Sequence, residues 1–384
     1  MKIESEYKYT ISVLLEGKIN KFIKEIIGIS YINSKGHLTD SVDFQSDKIV
    51  ITCSRKSDYG ILEKLITEDN NTIIELIKKS IIYLGLQSKT ILKIKKIEVS
   101  KWKTNSKSEK IYSFQKSKLN PFLKSNKKIK MESTPKNIDI IFKNKEKKVD
   151  YRPYYIACSR YLFSKLQGKE DYLEFIQLWS AYNSIYNIFV PKNDTKSMQC
   201  IKKYIMGNES KFQTSIEFCN KLRNSKLLPN FQWKILFIDN RNKIMNKKAN
   251  QVFSEVVHTE PLVLKLYEDY FLPYLKSNNV YSKKADGKEI NHYDTLKEYI
   301  KNNEKIAKNN DAVLLCFLVN EFIYKLRCNY IHGNEEGLQF SIAEYNEHEQ
   351  LKTLIKLMDI FLVDLLNSFE ELYEFRHSIN PNAP

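Results

Sequence analysis

Asp171-Tyr-Leu-Glu-Phe-Ile-Gln-Leu-Trp-Ser-Ala-Tyr-Asn-Ser-Ile-Tyr-Asn-Ile-Phe189 decides how the rest of the chain is read. Tyr172, Phe175, Ile176, Trp179, Tyr182, Tyr186 and Phe189 recur three and four places apart, which lines one side of an α-helix. Pro191 closes the run, because its ring cannot continue the backbone ladder. The same period occupies Arg152 to Leu166 just before it. After it, helical patterns cover Lys196 to Tyr204, Phe212 to Leu222, Gln232 to Met245 and Pro261 to Tyr274. Lys276 to Asn291 is polar and reads as a loop. Tyr293 to Lys308 and Asp311 to about His332 follow, then a last long helix carrying Leu351, Leu354, Ile355, Met358, Leu362, Leu365 and Phe369. No fixed-period repeat is present, which argues against a solenoid.

Before residue 151 the periods are mixed. Tyr7, Tyr9, Ile11, Val13 and Leu15 alternate with Lys8, Thr10 and Ser12, the two-residue period of a half-buried strand. Ile19, Phe22, Ile23, Ile26 and Ile27 sit at helical spacing. Lys48 to Cys53, Thr90 to Val99 and Asn137 to Phe142 read as strands, and Leu62 to Leu84 as helix broken near Asn70-Asn71. The expected fold class is therefore an α+β N-terminal domain, residues 1–150, followed by a mainly α-helical bundle, residues 151–384. No Gly-rich phosphate loop or nucleophile elbow occurs in the first part. It also lacks the alternating strand–helix run of a parallel sheet, so a nucleotide-sensing Rossmann domain fits it poorly.

Composition narrows the function classes. The 384 residues are 42% hydrophobic with 12% aromatics, enough for packed cores, and carry only 10 Gly and 9 Pro. The longest apolar run, Ala312 to Val319, is eight residues, far short of a membrane span. The N-terminus lacks the apolar core of a secretion signal, and a cytoplasmic protein is expected. Cys53, Cys158, Cys200, Cys219, Cys316 and Cys328 are scattered, with no Cys-x-x-Cys and no His at ligand spacing, so neither a zinc site nor a disulfide framework is expected. Net charge is +16, built from 55 Lys and only 7 Arg, which makes each arginine worth locating. Between Lys89 and Asp150, 19 Lys face six acids, and this stretch holds thirteen of the sixteen excess charges. Ser and Asn between the lysines suggest solvated loop. Trp102, Tyr112, Phe114 and Phe122 interleave, a mixture that suits phosphate attraction with base stacking. Lys124, Lys127, Lys128 and Lys130 are the candidate RNA contacts; the alternative is a solvated linker.

One segment carries chemistry: Val319-Asn-Glu-Phe-Ile-Tyr-Lys-Leu-Arg-Cys-Asn-Tyr-Ile-His332-Gly333. Arg327 falls on the apolar stripe of Val313, Cys316, Phe317, Ile323, Tyr324 and Ile331, and a guanidinium there calls for an anion or an acid. His332 lies five residues on, about 140° further round. Gly333 offers a left-handed stop, so the histidine sits on the last turn and can swing towards Arg327. An obligate cation beside a titratable imidazole suits phosphoryl chemistry, the one holding phosphate charge and the other moving a proton. The alternative is a helix-end arginine paired to an acid, with His332 capping carbonyls. Asn183, among Trp179, Tyr182 and Tyr186, either supports a cleft or satisfies the core through a helix-to-helix hydrogen bond. Glu174 falls on the opposite, surface side of that helix. Arg376-His377 reads as an incidental tail dipeptide.

Leu326-Arg-Cys-Asn-Tyr-Ile-His-Gly333, ending an amphipathic helix and followed by a long terminal one, resembles the HEPN superfamily, whose signature is Arg-x4-6-His. Its Apea-like branch often shows the same His-Gly ending, and Phe175 to Tyr186 is similar to that branch's Trp-x-Ala-x-Asn helix. The resemblance covers roughly residues 151–375, leaves about 192–310 as a helical insertion, and says nothing of residues 1–150. It implies a metal-independent endoribonuclease with no cofactor. His332 would act as general base or acid at the ribose 2′-hydroxyl and leaving oxygen, and Arg327 would stabilise the phosphorane-like charge, giving a 2′,3′-cyclic phosphate and a 5′-hydroxyl. Asn329 and Asn183 would be supporting polar groups. It further implies a homodimer whose two Arg/His pairs line one cleft, and a toxin or antiviral-defence effector with an antitoxin or defence-system partner protein. The position after the arginine departs from the family: Cys328 stands where a small polar residue is common, with Asn329 one place later. A catalytically inactive HEPN-like module that binds RNA or protein is the competing expectation.

Overall fold

The computed structural model describes residues 7–19, 26–30, 39–56, 58–67, 71–103, 109–115, 121–124, 126–129, 131, 133–143, 149–166, 170–237, 260–278, 281–283, 289–331 and 344–379. An N-terminal antiparallel sheet is followed by a mostly helical region. Contacts divide the chain into two compact units, residues 1–192 with 365–384 and residues 193–364.

The first unit is built on strands β1 (Tyr7–Glu16), β2 (Ile26–Ser30), β3 (Thr39–Phe44) and β4 (Lys48–Arg55), helices α1 (Lys64–Thr67) and α2 (Thr72–Ser88), and strands β5 (Thr90–Ile91), β6 (Lys93–Lys103), β7 (Glu109–Gln115) and β8 (Lys127–Lys128). Six strands form one sheet in the order β2-β3-β4-β1-β6-β7, and β5 with β8 makes a separate short ribbon. Period two does what it promised: Tyr9, Ile11 and Val13 of β1, Ile49, Ile51 and Cys53 of β4, and Val99 of β6 are fully buried on one face. Ladders on both sides hold this alternation, with Ile11 facing Ile51 on β4 and Val99 on β6. Helix α2 packs near this core. The Asn71 side chain accepts a hydrogen bond from the Ile74 amide at 2.8 Å to start α2, and Lys89 in the left-handed region at φ 51° ends it.

Three expectations change here. Ile26 and Ile27 lie in β2, where Ile26 pairs with Val42, rather than on a helix; Phe22 and Ile23 lie outside the described residues. Ile138–Phe142 is a 3-10 turn, not a strand. It packs against α2 and against α3 (Arg152–Ser164), and burial of Ile138, Ile140, Ile141 and Phe142 leaves no sheet face for it. Within Lys89 to Asp150, the Thr104 to Ser108 segment read as loop lies outside the described residues, while β6 and β7 belong to the sheet and the lysines of β6 take largely the outward alternations. Lys101 is the exception: it is buried and paired to Asp58. The segment Lys276 to Asn291 contains a small hairpin, β9 (Tyr281–Lys283) with β10 (Glu289–Asn291).

Helix α3 packs on α4 (Asp171–Tyr186), whose Phe175, Leu178, Trp179, Tyr182 and Ile185 are buried. The Trp179 and Tyr182 rings meet edge to face at 5.3 Å. Both helices belong to the first unit, together with the sheet.

The second unit holds α5 (Asp194–Gly207), α6 (Gln213–Arg223), α7 (Lys234–Phe237), α8 (Pro261–Leu266), α9 (Leu272–Asn278), α10 (His292–Glu304), α11 (Asp311–Phe317) and α12 (Tyr324–Ile331). The rest of the Gln232 to Met245 helix lies outside the described residues. Two π turns interrupt the helices, Tyr267–Phe271 and Leu318–Ile323. The boundary between units falls within α13 (Glu344–Asn367), and α14 (Phe369–Ile379) belongs to the first. Within the second unit, Asp364 of α13 accepts from the Ser215 amide at 3.0 Å and its hydroxyl at 2.6 Å, capping the first turn of α6.

Candidate functional site: the Arg327 helix

Helix α11 starts at Asn310, whose side chain accepts from the Val313 amide at 3.0 Å. Every residue from Ala312 to Asn320 is buried, so this helix runs through the middle of its unit. A π turn then holds one residue more than an α turn, and all later side chains lag by about 100°. Asn320, buried inside it, donates to the Met198 carbonyl at 3.3 Å.

That lag overturns one expectation. Beyond the turn the buried positions are Leu326 and Asn329, while Ile331 is 44% exposed. Arg327 does not lie on the buried stripe; it is half-buried on the flank, with Nη1 3.9 Å from the Cys328 sulfur. Tyr324, one turn earlier, has its phenol pushed up by burial and by the neighbouring Cys328 and Asp194, so it stays neutral at physiological pH. The motif thus brings Tyr324, Arg327 and Cys328 together beside the start of α5, with Asn329 turned inward. His332 lies outside the described residues.

Asn183 sits in α4 of the first unit, half-buried, and its carbonyl oxygen accepts from the Asn187 amide at 2.7 Å, a contact along its own chain segment. Glu174 is not simply surface: its side chain is 19% exposed and pairs with Lys165 at 2.8 Å. Among the candidate RNA contacts, Lys127 and Lys128 form β8 against Thr90 and Ile91, and Lys124 ends the 3-10 turn Pro121–Lys124. Lys130 lies outside the described residues.

No family model, curated protein or solved structure matches this chain.

Three polar features escaped sequence reasoning. Arg223 on α6 pairs with Glu260, which is wholly buried and caps α8 through the Val263 amide, and also with Asp311 at 2.8 Å. Arg55 binds Asp40 through two bonds of 2.6 and 2.8 Å inside the first unit. Arg376 is buried, with its guanidinium 5.6 Å over the Tyr373 ring. It was legible in principle, because Phe369, Leu372, Tyr373 and Arg376 share one helical stripe. Burial, then the Asp150 charge, pushes the Tyr373 phenol up to about 12.

Among the described residues no three His, Cys, Asp or Glu side chains form a metal-holding group, and no helix is long and apolar enough to cross a membrane. All six cysteines are free thiols, four of them buried. Burial, as the largest cause, pushes Cys53, Cys158 and Cys219 far up, and Cys316 to about 12, so none is a ready nucleophile.

Proposed function

We propose that the end of α12 is the active site of an endoribonuclease that needs no metal. The observation that carries this reading is Arg327 held half-exposed near the last turn of a helix that ends at Ile331, next in sequence to His332 and Gly333. A guanidinium so placed offers a fork of donors to two phosphate oxygens while its stem stays packed. His332 takes the proton of a ribose 2′-hydroxyl as that oxygen attacks phosphorus. A proton returned to the departing 5′-oxygen completes the step, leaving a 2′,3′-cyclic phosphate and a 5′-hydroxyl. Arg327 offsets the charge that grows on the phosphorane oxygens. The lysines of β8 add sequence-independent attraction for the RNA backbone. The resemblance to HEPN proteins extends the proposal to a homodimer with paired Arg/His sites, acting in the cytoplasm as a toxin or antiviral-defence effector held in check by a partner protein.

One observation favours a second reading, a silent module that binds RNA or protein. Asn329 is buried and faces away from Arg327, so it does not supply the small polar group that often follows the arginine in active members.

The two readings part on one substitution. His332→Ala abolishes cleavage, assayed by 3′-end analysis of RNA incubated in chelator, and leaves the circular dichroism spectrum and RNA affinity unchanged. Equal degradation by wild type and variant rules out the enzymatic reading.

A further inference from the structure

Two registers can be drawn for the helix that carries Arg327, of which the structure holds one. A continuous α-helix from Asp311 puts Arg327 and Ile331 on the stripe of Val313 and Phe317. The π turn at Leu318–Ile323 instead turns Leu326 and Asn329 inward and Ile331 outward. The exchange is close to even in apolar terms, because a leucine trades places with an isoleucine of the same size. Each register also buries one polar residue, Asn329 in the π form and the charged Arg327 in the α form, which costs the α form more.

An aromatic wedge from a different part of the second unit adds to the preference for the π form. Trp233 touches Phe317 just before the π turn, with ring centroids 6.1 Å apart, and Phe322 inside it, at 4.7 Å. Phe231 stacks on Phe322 at 5.6 Å and 17°. The wedge is itself fixed: the Trp233 indole donates to the Leu228 carbonyl at 3.0 Å, and the Gln232 amide to the Gln350 side chain at 2.8 Å. Trp233 therefore bridges the two sides of the register step. In a continuous α-helix Phe317 and Phe322 are five residues and about 140° apart, too far round for one indole to lie against both. Asn320 adds a second tie, through the Met198 carbonyl of α5.

We propose that Leu318–Ile323 is a register switch, in which the Phe231–Trp233 wedge holds the π form that keeps Arg327 at the surface. Withdrawal of the wedge lets the turn relax to α, and α12 rotates by about 100°, carrying Arg327 and Ile331 inward and Leu326 outward. The inference concerns only which side α12 presents, and it stands whether or not the helix end cuts RNA.

Cysteine labelling reads the two faces directly. In a Cys200→Ser, Cys328→Ser background, Leu326→Cys and Ile331→Cys are treated separately with an uncharged maleimide under native conditions. With Trp233 in place, position 331 reacts quickly and position 326 slowly. Adding Trp233→Ala should raise labelling at 326 about tenfold and lower it at 331, the size expected when one or two kcal/mol of preference for the π form are removed. Continued protection of 326 overturns the proposal. A parallel rise at both positions also overturns it, because it signals local opening instead of rotation. Should circular dichroism show that Trp233→Ala does not fold, Phe231→Leu gives the same comparison with the same outcomes.

Discussion

Strand β1 and helix α12 both entered with a clear apolar period, yet only the strand kept the register its period implies. The difference lies in what holds each element. Residues Tyr7 to Leu14 of β1 are fixed from two sides by ladders to β4 and β6, and a one-residue slip would turn the buried set outward. Helix α12 closes its hydrogen bonds within itself. One extra residue in the π turn therefore shifts its facing at the cost of a few local bonds, while the core accepts Leu326 in place of Ile331.

The largest expected effect breaks the strand side of that contrast. Ile51→Ala removes a fully buried side chain between Ile11 and Val42 and should cost about 2–5 kcal/mol, measured by urea unfolding. Amide exchange in the folded variant should still show the Ile11–Ile51 pairing; a changed register would show that the ladders do not fix it.

A middle-sized effect sharpens the account of the basic stretch. Lys124→Glu, Lys127→Glu and Lys128→Glu together should weaken RNA binding and flatten its dependence on salt, since each lost phosphate contact lowers the slope by about one. An affinity that does not change between low and high salt in the wild type would leave β8 as a structural ribbon only.

The smallest effect concerns pH. Burial opposes ionisation of Asp58, but the Lys101 ammonium and the Gly60 amide outweigh it and hold the carboxyl below its usual value. A depressed carboxyl contributes stability at neutral pH that is lost as pH falls through its folded-state value. Asp58→Asn should thus lower the melting temperature slightly near pH 7 and make its fall in acid shallower. Asp58 is substantially exposed, so solvent screening keeps the change small. Parallel acid limbs would remove Asp58 from the account.

Strands β1, β4 and β6 and the starts of several helices were legible because they depend on local pattern, whereas β2 was read as helix and β3 and β7 were not read. Period two marked β1 and β4, and Asn71, Asn193 and Asn310 stand where helices α2, α5 and α11 begin. The failures have physical causes. Ile138-Asp-Ile-Ile-Phe142 has strand composition, but tertiary packing against α2 and α3 folded it into a 3-10 turn. The β9–β10 hairpin has no apolar face to announce it. The π turn leaves no trace in composition, so the facing of Arg327 was read from a straight helix that the packing of Trp233 and Phe322 does not allow. Of the candidate site, the inward turn of Asn329 was not legible, and His332 lies outside the described residues.

The pairing of Arg223 with both Glu260 and Asp311 has a consequence for how this chain uses its cations. Lysine is its ordinary coin of charge, spread over surfaces where direction hardly matters. Arginine appears where one group must face two ways: Arg223 joins the first turns of two helices, and Arg55 grips both oxygens of Asp40. An ammonium has no flat fork to span such pairs. Swapping these few guanidiniums for lysine would keep the net charge and still unfasten the fold at its joints.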